Sequence, residues 1–366
     1  MKRVEEHKKR TSPRGSHASH TAELRLVAWE ITRSCNLSCI HCRASAERGP
    51  YPHELTTEEC KSVLDEIASF SDPIIIFTGG EPLLRPDILD ILRHGQSLDL
   101  KMAMAINGLL LDEATARRLI EHGIQRISIS LDGATAETHD AFRNVPGAFE
   151  GAMKGIGAAK KAGLPFQINS TITKLNLNEV PDLLRLAVDL GAEAHHIFLL
   201  VPTGRGKELE EQEISAEQYE STLNWFYEQR EKVPIQLKAT CAPHYYRILR
   251  QRAAEEGKQV TFETYGMDAV TRGCLGGVAF CFISHVGTLS PCGYLELDCG
   301  NVRVEGFRKA WENARIFNEL RDFSNYEGKC GTCRYLKVCG GCRARAYART
   351  GNYLAEEPYC AYGGGD

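Results

Sequence analysis

Between residues 24 and 231 the sequence alternates short apolar, β-branched segments with longer amphipathic segments. Strands alternating with helices of roughly 10–15 residues are typical of βαβ units, which form parallel sheets. Six units predict an α/β fold with a partial (β/α)6, TIM-like barrel, whose functional residues follow the carboxyl ends of the strands. The predicted strands are Leu24–Thr32, Ile74–Thr78, Lys101–Ile106, Arg126–Leu131, Phe166–Thr171 and His195–Val201, and the predicted helices are Thr57–Phe70, Pro86–His94, Glu113–His122, Ala148–Ala162, Glu179–Leu190 and Ala216–Glu231.

Three cysteines, Cys35, Cys39 and Cys42, follow the first predicted strand with the spacing C-x3-C-x2-C. A [4Fe–4S] cluster ordinarily takes four thiolates, one for each iron. A triplet with no fourth cysteine nearby therefore leaves one iron for a ligand that the protein does not supply. A zinc site or three unrelated thiols are the alternatives, although zinc normally has a closed set of four ligands.

The second predicted strand ends in Gly79-Gly80-Glu81-Pro82. Two glycines at a strand exit let the backbone approach a ligand closely, and the carboxylate is suited to face an ammonium group. This turn lies about forty residues after the cysteine triplet. Together the two motifs resemble the radical SAM superfamily.

The resemblance implies that the open iron is chelated by the amino and carboxylate groups of S-adenosylmethionine (SAM), which the reduced cluster cleaves to a 5′-deoxyadenosyl radical. It also implies that the Gly-Gly-Glu-Pro turn binds the methionine amino group. By position, further cofactor-binding candidates are His41, Asn107, Ser130, Asp132 and Arg143. Arg143 is the candidate for the methionine carboxylate, as a charge-assisted donor. For each candidate, a strand-end turn or helix cap is the alternative.

Composition limits the remaining possibilities. The 366 residues exceed one typical domain, and a net charge of −4 gives no reason to expect a nucleic-acid partner. No apolar run is long enough to span a bilayer, and residues 1–22 lack the apolar core of a signal peptide. Fourteen cysteines without an export signal indicate metal clusters in a reducing cytoplasm. We expect a flexible tail at 1–22, a radical SAM core at 23–235, and a bridging segment with a cysteine-rich domain at 236–366.

Nine of the fourteen cysteines lie between Cys274 and Cys360. The two C-x2-C pairs of the densest stretch are too close together for the hairpin of a zinc ribbon, although zinc remains an alternative. The stretch resembles the SPASM extension of radical SAM enzymes, which carries one or two auxiliary [4Fe–4S] clusters. That resemblance assigns one cluster to Cys330, Cys333, Cys339 and Cys360, and the other to Cys274, Cys281, Cys292 and Cys342. The gap between Cys339 and Cys342 is two residues where the family commonly has three, and Cys60, Cys241 and Cys299 are left as unassigned thiols.

Segments 195–205, 238–247, 271–277 and 281–300 resemble the SAM-dependent heme synthases of the siroheme-based route to heme b. The resemblance covers residues 24–362. It implies that Fe-coproporphyrin III is the substrate, that two propionates become vinyls, and that each vinyl consumes one SAM. It further implies that an auxiliary cluster accepts the electron released, and that a low-potential donor reduces the barrel cluster.

A porphyrin with four carboxylates needs cationic and aromatic side chains around its apolar disc. The candidates are Arg205, Lys238, His244, Tyr245, Arg247 and Arg272, and a solvated charge or structural contact is the alternative for each. Related tetrapyrrole enzymes (didecarboxysiroheme deacetylase or heme d1 biosynthesis), a SPASM peptide maturase, and a non-enzymatic iron–sulfur scaffold are the competing functions.

Overall fold

The parallel sheet that the alternation predicts is present and carries additional strands at both edges. The computed structural model describes residues 23–363, so the tail predicted at 1–22 lies outside the described residues. The strands are β1 (Leu26–Thr32), β2 (Ile74–Gly79), β3 (Lys101–Ile106), β4 (Ile124–Ser130), β5 (Phe166–Ile172), β6 (Ala194–Leu199), β7 (Gln236–Thr240), β8 (Phe280–Ile283) and β9 (Leu289–Ser290). Their order is β7-β6-β5-β4-β3-β2-β1-β8-β9, and every neighbouring pair is parallel except β8 with β9. The open α/β barrel is therefore confirmed.

Helices connect the strands and continue through the C-terminal part. They are α1 (Thr57–Phe70), α2 (Ile88–Ser97), α3 (Glu113–Glu121), α4 (Ala136–Arg143), α5 (Ala148–Ala162), α6 (Val180–Asp189), α7 (Ala216–Gln229), α8 (His244–Glu255), α9 (Phe262–Tyr265), α10 (Met267–Val270), α11 (Phe307–Asn313), α12 (Arg315–Arg321), α13 (Gly328–Gly331) and α14 (Arg343–Thr350). Short 3₁₀ segments occupy Pro82–Leu84, Leu177–Glu179, Gly204–Gln212 and Phe323–Asn325. Among residues 23–363, no helix combines the length and apolar character needed to cross a bilayer.

The helix boundaries follow local side-chain chemistry. Helix α1 begins with a capping box formed by Thr56 and Glu59, as their spacing predicts. Helix α4 is absent from the sequence prediction because its buried face includes the polar residues His139 and Arg143, which leave no apolar stripe.

The outer strands come from beyond residue 235. Strand β7 pairs with β6, and β8, from the cysteine-rich part, pairs with β1 at the other side of the barrel. Both strands are short, so neither shows a long apolar run. The division at 235/236 stays a prediction, although the cysteine-rich part contributes directly to the sheet.

The core lies between the sheet and its helices. Alternate strand residues, such as Ile127 and Ile129 of β4 and Ile168 of β5, are fully buried against the helices. Successive strand residues point to opposite faces, so the residues between them face the barrel interior. That inner face is largely polar in β4–β7 and forms the wall of the candidate site.

Candidate active site

The three cysteines of the triplet lie together in the loop after β1. Cys35 and Cys39 are buried and Cys42 is half-buried. Backbone amides donate hydrogen bonds to the sulfurs of Cys35 and Cys42 at 3.4 Å, and the Arg143 guanidinium donates to that of Cys39 at 3.6 Å. Hydrogen bonds donated to sulfur stabilise the thiolate form, so this loop is suited to charged sulfur ligands.

The chemistry of the loop fits an iron–sulfur cluster. Burial, with a smaller contribution from the neighbouring Cys39, Glu81 and Cys42, raises the pKa of the Cys35 thiol to about 12. A thiolate is stable in such a place when it binds a metal. Within residues 23–363, no three cysteine, histidine or carboxylate side chains converge closely enough to enclose a single ion. A four-iron cluster binds one thiolate at each of its irons, so its ligands stand further apart.

The Gly-Gly-Glu-Pro turn packs directly against the end of β1. The Gly80 amide donates to the Thr32 carbonyl at 2.9 Å, and the Glu81 amide donates to the Ser34 carbonyl at 2.8 Å. A Cβ at Gly79 would lie 2.1 Å from the Thr32 oxygen, and one at Gly80 would lie 2.2 Å from the Ser34 oxygen. The glycines therefore allow the backbones of the two motifs to meet, whereas the sequence predicted a close approach to a ligand.

Glu81 links the ends of β2 and β3. Its buried carboxylate accepts hydrogen bonds from the Leu83 amide at 3.0 Å and the Asn107 amide at 2.8 Å. Burial nevertheless raises the pKa of Glu81 to about 7. The Asn107 side chain donates to Asn36 in the cysteine loop at 2.7 Å. Glu81 and Asn107 thus fix the turn relative to the loop, and their contact with the cofactor stays a prediction.

Asp132 brings the other cofactor candidates together. It forms an ion pair with Arg143, lies 3.5 Å from His41 Nε2, and accepts the Thr171 amide at 2.7 Å. Although burial opposes ionisation, the Arg143 guanidinium holds the pKa of Asp132 below its ordinary value. Because Arg143 also donates to Cys39, it connects the carboxylate to the cysteine loop.

Arg205, a predicted substrate residue, forms hydrogen bonds with the backbone of the cysteine loop. Its Nε donates to the Cys39 carbonyl at 2.8 Å and its Nη1 to the Ala46 carbonyl at 3.0 Å. Gly204 before it has a φ of +54°, and a Cβ there would lie 2.2 Å from the Arg43 carbonyl oxygen. Since the guanidinium is already engaged with this loop, we interpret Arg205 as a positioning residue rather than a substrate contact.

A row of polar side chains crosses four strands on the inner face of the barrel. Ser130, Asn169, His196 and Lys238 are paired in register from β4 to β7. The Gln167 amide donates to Asn169 and to His196 Nδ1, both at 3.0 Å. The row joins two predicted residues, Ser130 and Lys238, to Asn169 and His196, which the sequence prediction missed. Polar residues alternating with buried apolar ones in β5 and β6 were the available signal.

The remaining substrate candidates lie outside this row. His244 and Tyr245 are each 1% exposed within α8, and Tyr245 belongs to the hydrophobic core that α8 shares with α7 and β6. Arg247 pairs with Glu220, and Arg272 donates to a backbone carbonyl of the C-terminal part at 3.3 Å. The contacts of Arg247 and Arg272 are of the structural kind, whereas His244 lines the cavity of the C-terminal cysteines. A role of these residues in substrate binding stays a prediction.

Four C-terminal cysteines, Cys330, Cys333, Cys339 and Cys360, line one cavity. Backbone amides donate to the sulfurs of the first three at 3.3–3.5 Å. The Arg343 guanidinium also donates to Cys330 at 3.7 Å. The residues that the resemblance assigns to one auxiliary cluster therefore meet at a site whose donors suit thiolates.

The second predicted set is divided. Cys274 and Cys342 are neighbours of Cys292. Burial raises the pKa of the Cys292 thiol most, and the other two thiols raise it further. Cys281 lies instead in the core between the sheet and the helices, together with Cys299. The structure does not bring Cys281 to the other three cysteines.

A model of the radical SAM superfamily matches residues 29–187 of the chain. This segment contains the cysteine loop, the Gly-Gly-Glu-Pro turn and the ends of β3 to β5.

Related proteins match most of the chain. An AdoMet-dependent heme synthase of Oleidesulfovibrio alaskensis is 55% identical over 338 residues, which cover 92% of this chain and 87% of that protein. One of Methanosarcina barkeri is 54% identical and covers 92% and 96% of the two chains. An Fe-coproporphyrin III synthase of the same Methanosarcina is 30% identical, over 92% of this chain and 87% of that protein.

Solved structures share the fold. Streptococcus suis SuiB bound to S-adenosylmethionine superposes with a TM-score of 0.72 at 15% identity, covering 93% of this chain and 78% of that chain.

Proposed function

This chain belongs to the radical SAM superfamily, and from that membership we propose that it is a heme synthase. It converts Fe-coproporphyrin III to heme b by oxidative decarboxylation of two propionates to vinyls. The observation that carries the proposal is the 55% identity to an AdoMet-dependent heme synthase, which extends over 92% of the chain. A relative with a different name, the Fe-coproporphyrin III synthase, is only 30% identical over the same share.

The cysteine loop and its neighbours carry the radical chemistry. When the cluster and SAM are bound, they supply a radical that removes a hydrogen atom from the substrate. Cys35, Cys39 and Cys42 hold the cluster, and Glu81 and Arg143 are our candidates for the amino and carboxylate groups of SAM. The hydrogen bonds around these residues support this assignment, because they fix the loop and the turn against each other.

Lys238 is the candidate that the geometry favours for a substrate carboxylate. It lies on the inner face of the barrel beside His196. Burial lowers the pKa of Lys238, and the electrostatic attraction of Asp268 offsets this effect only in part. A propionate would add a closer negative charge to this ammonium group in a poorly hydrated place.

The C-terminal cysteines are assigned to electron removal. Each propionate that becomes a vinyl loses carbon dioxide, one hydrogen atom and one electron. The hydrogen atom goes to the SAM-derived radical, so the electron needs a separate acceptor. Cys330, Cys333, Cys339 and Cys360 would hold an auxiliary cluster that could accept this electron, and a low-potential donor would supply the electron that starts each cycle.

The direct test is anaerobic incubation with SAM, a reductant and Fe-coproporphyrin III, followed by mass analysis. The expected result is two successive losses of one formic-acid equivalent, each matched by one 5′-deoxyadenosine. Formation of 5′-deoxyadenosine with unchanged porphyrin would contradict the substrate, and absence of 5′-deoxyadenosine would contradict the radical chemistry. A Soret shift on mixing separates a porphyrin enzyme from a peptide maturase.

A further inference from the structure

Cys281 and Cys292 lie on different sides of the sheet. Cys281 occupies β8 and packs with Cys299 in the core under the helices. The next residue, Phe282, points to the opposite face, where a Cβ on Gly293 would lie 3.2 Å from its ring. Gly293 directly follows Cys292, so Phe282 faces the segment of Cys292 and Cys281 faces away from it.

Cys241 lies at the place beside Cys292 and Cys342 that the resemblance assigns to Cys281. Cys241 directly follows β7 and packs with Cys292 and Cys342 in one small apolar cluster. Cys274 belongs to the same group, since its thiol interacts electrostatically with those of Cys241, Cys292 and Cys342. Four thiols from four separate segments therefore meet at the junction of the barrel and the cysteine-rich part.

The backbone at Cys241 is held in an unusual conformation. Its φ of +55° lies in the left-handed region, which is unfavourable for a residue other than glycine. The buried Arg345 donates to the Cys241 carbonyl at 2.9 Å. Arg345 lies one helical turn after Cys342 and pairs with Glu357. One guanidinium thus fixes the segment of Cys241 relative to that of Cys342. Strained backbone held by buried contacts is typical of functional sites.

We propose that Cys241 is the fourth protein ligand of a second auxiliary cluster, with Cys274, Cys292 and Cys342, and that Cys281 is not a ligand. The inference rests on the proposed auxiliary clusters. Four thiolates occupy all four irons, so this cluster has no open position for substrate. Such a cluster would be suited to electron transfer rather than to binding the porphyrin.

The test uses the full chain with Cys35, Cys39 and Cys42 replaced by alanine, so that only auxiliary clusters remain. After anaerobic reconstitution, iron and sulfide are counted and the reduced protein is examined by EPR and Mössbauer spectroscopy. This parent should hold about eight irons, four for each cluster. Cys241→Ala should lose between about one and four irons and alter one of the two EPR signals. Cys281→Ala, the matched control, should match the parent in both measurements.

Two further outcomes separate the inference from the proposed function. Cys241→Ser keeps the size of the side chain and should shift one EPR signal while the other stays unchanged. Parent iron content and spectra in both Cys241 variants would overturn the assignment, as would loss of iron in Cys281→Ala alone. A parent with only about four irons would show that the second auxiliary cluster itself is absent.

Discussion

Replacing Gly80 with alanine should displace the cysteine loop. A Cβ at Gly80 would lie 2.2 Å from the Ser34 carbonyl oxygen and 2.5 Å from that of Arg33, whereas real Cβ atoms essentially never come within 3.0 Å of such an atom. Both contacts are to backbone, so no side-chain rotation relieves them. The two backbones must therefore separate.

The separation breaks the hydrogen bonds from the Gly80 and Glu81 amides to the carbonyls of Thr32 and Ser34. Each costs about 1 kcal/mol if water replaces the partner and about 3 kcal/mol if the group stays buried and unpaired. The native loop should lose about 2–6 kcal/mol of stability. Since 1.36 kcal/mol corresponds to a factor of ten, 5′-deoxyadenosine formation should fall by at least about tenfold.

The assay combines iron content after anaerobic reconstitution with chromatographic measurement of 5′-deoxyadenosine. Gly157→Ala is the matched control, because nothing lies within 4 Å of a Cβ at that position in α5. It should retain the cluster and gain up to about 1 kcal/mol of stability from helix propensity. Gly80→Ala with the iron content and rate of the unmodified protein would refute the role assigned to the close approach.

Four further results are expected. Cys35→Ala should abolish 5′-deoxyadenosine formation, and normal SAM cleavage in this variant would contradict the cluster assignment. Cys330→Ala should raise the ratio of 5′-deoxyadenosine to heme, because SAM cleavage needs only the barrel cluster while vinyl formation needs an electron acceptor; an unchanged ratio at full rate would make the auxiliary cluster purely structural. Lys238→Met should weaken Fe-coproporphyrin III binding, measured by Soret titration, by about tenfold, since a hydrogen bond to a charged group contributes about 1.5–3 kcal/mol, and should leave SAM-dependent cluster spectra unchanged. In the cluster-free protein, the pKa of Glu81 is raised from 4.5 to about 7, so the folded state favours the protonated form. The free energy of unfolding should therefore fall by up to about 3 kcal/mol as the pH rises from about 4.5 to 7. Glu81→Gln should flatten that slope in denaturant titrations.

The sequence predicted the parts of the fold that depend on local patterns. Apolar alternation located β1 to β6, and the Thr56–Glu59 spacing located the start of α1. The short strands β7 and β8, of five and four residues, were missed because neither is long enough to show a clear apolar run. Helix α4 was missed because its buried face is polar.

The candidate site divides in the same way. The cysteine triplet and the Gly-Gly-Glu-Pro turn are each local in sequence, and their spacing was sufficient to predict a shared site. The contacts of Arg205 with the loop, and the register that aligns His196 with Lys238, arise from tertiary structure. The order of cysteines along the chain similarly suggested Cys281 but carried no information on which face of β8 it occupies.

The pairing of β8 with β1 has a consequence for synthesis of the chain. Leu26 is paired with Phe280. Strand β1 is therefore synthesised early, but it can pair with β8 only after nearly the whole chain has left the ribosome. Until then β1 is an unprotected sheet edge next to the loop of reactive thiols. Contacts between such distant segments also slow folding. The nascent chain therefore passes through a stage in which association with other molecules and premature oxidation compete with completion of the barrel.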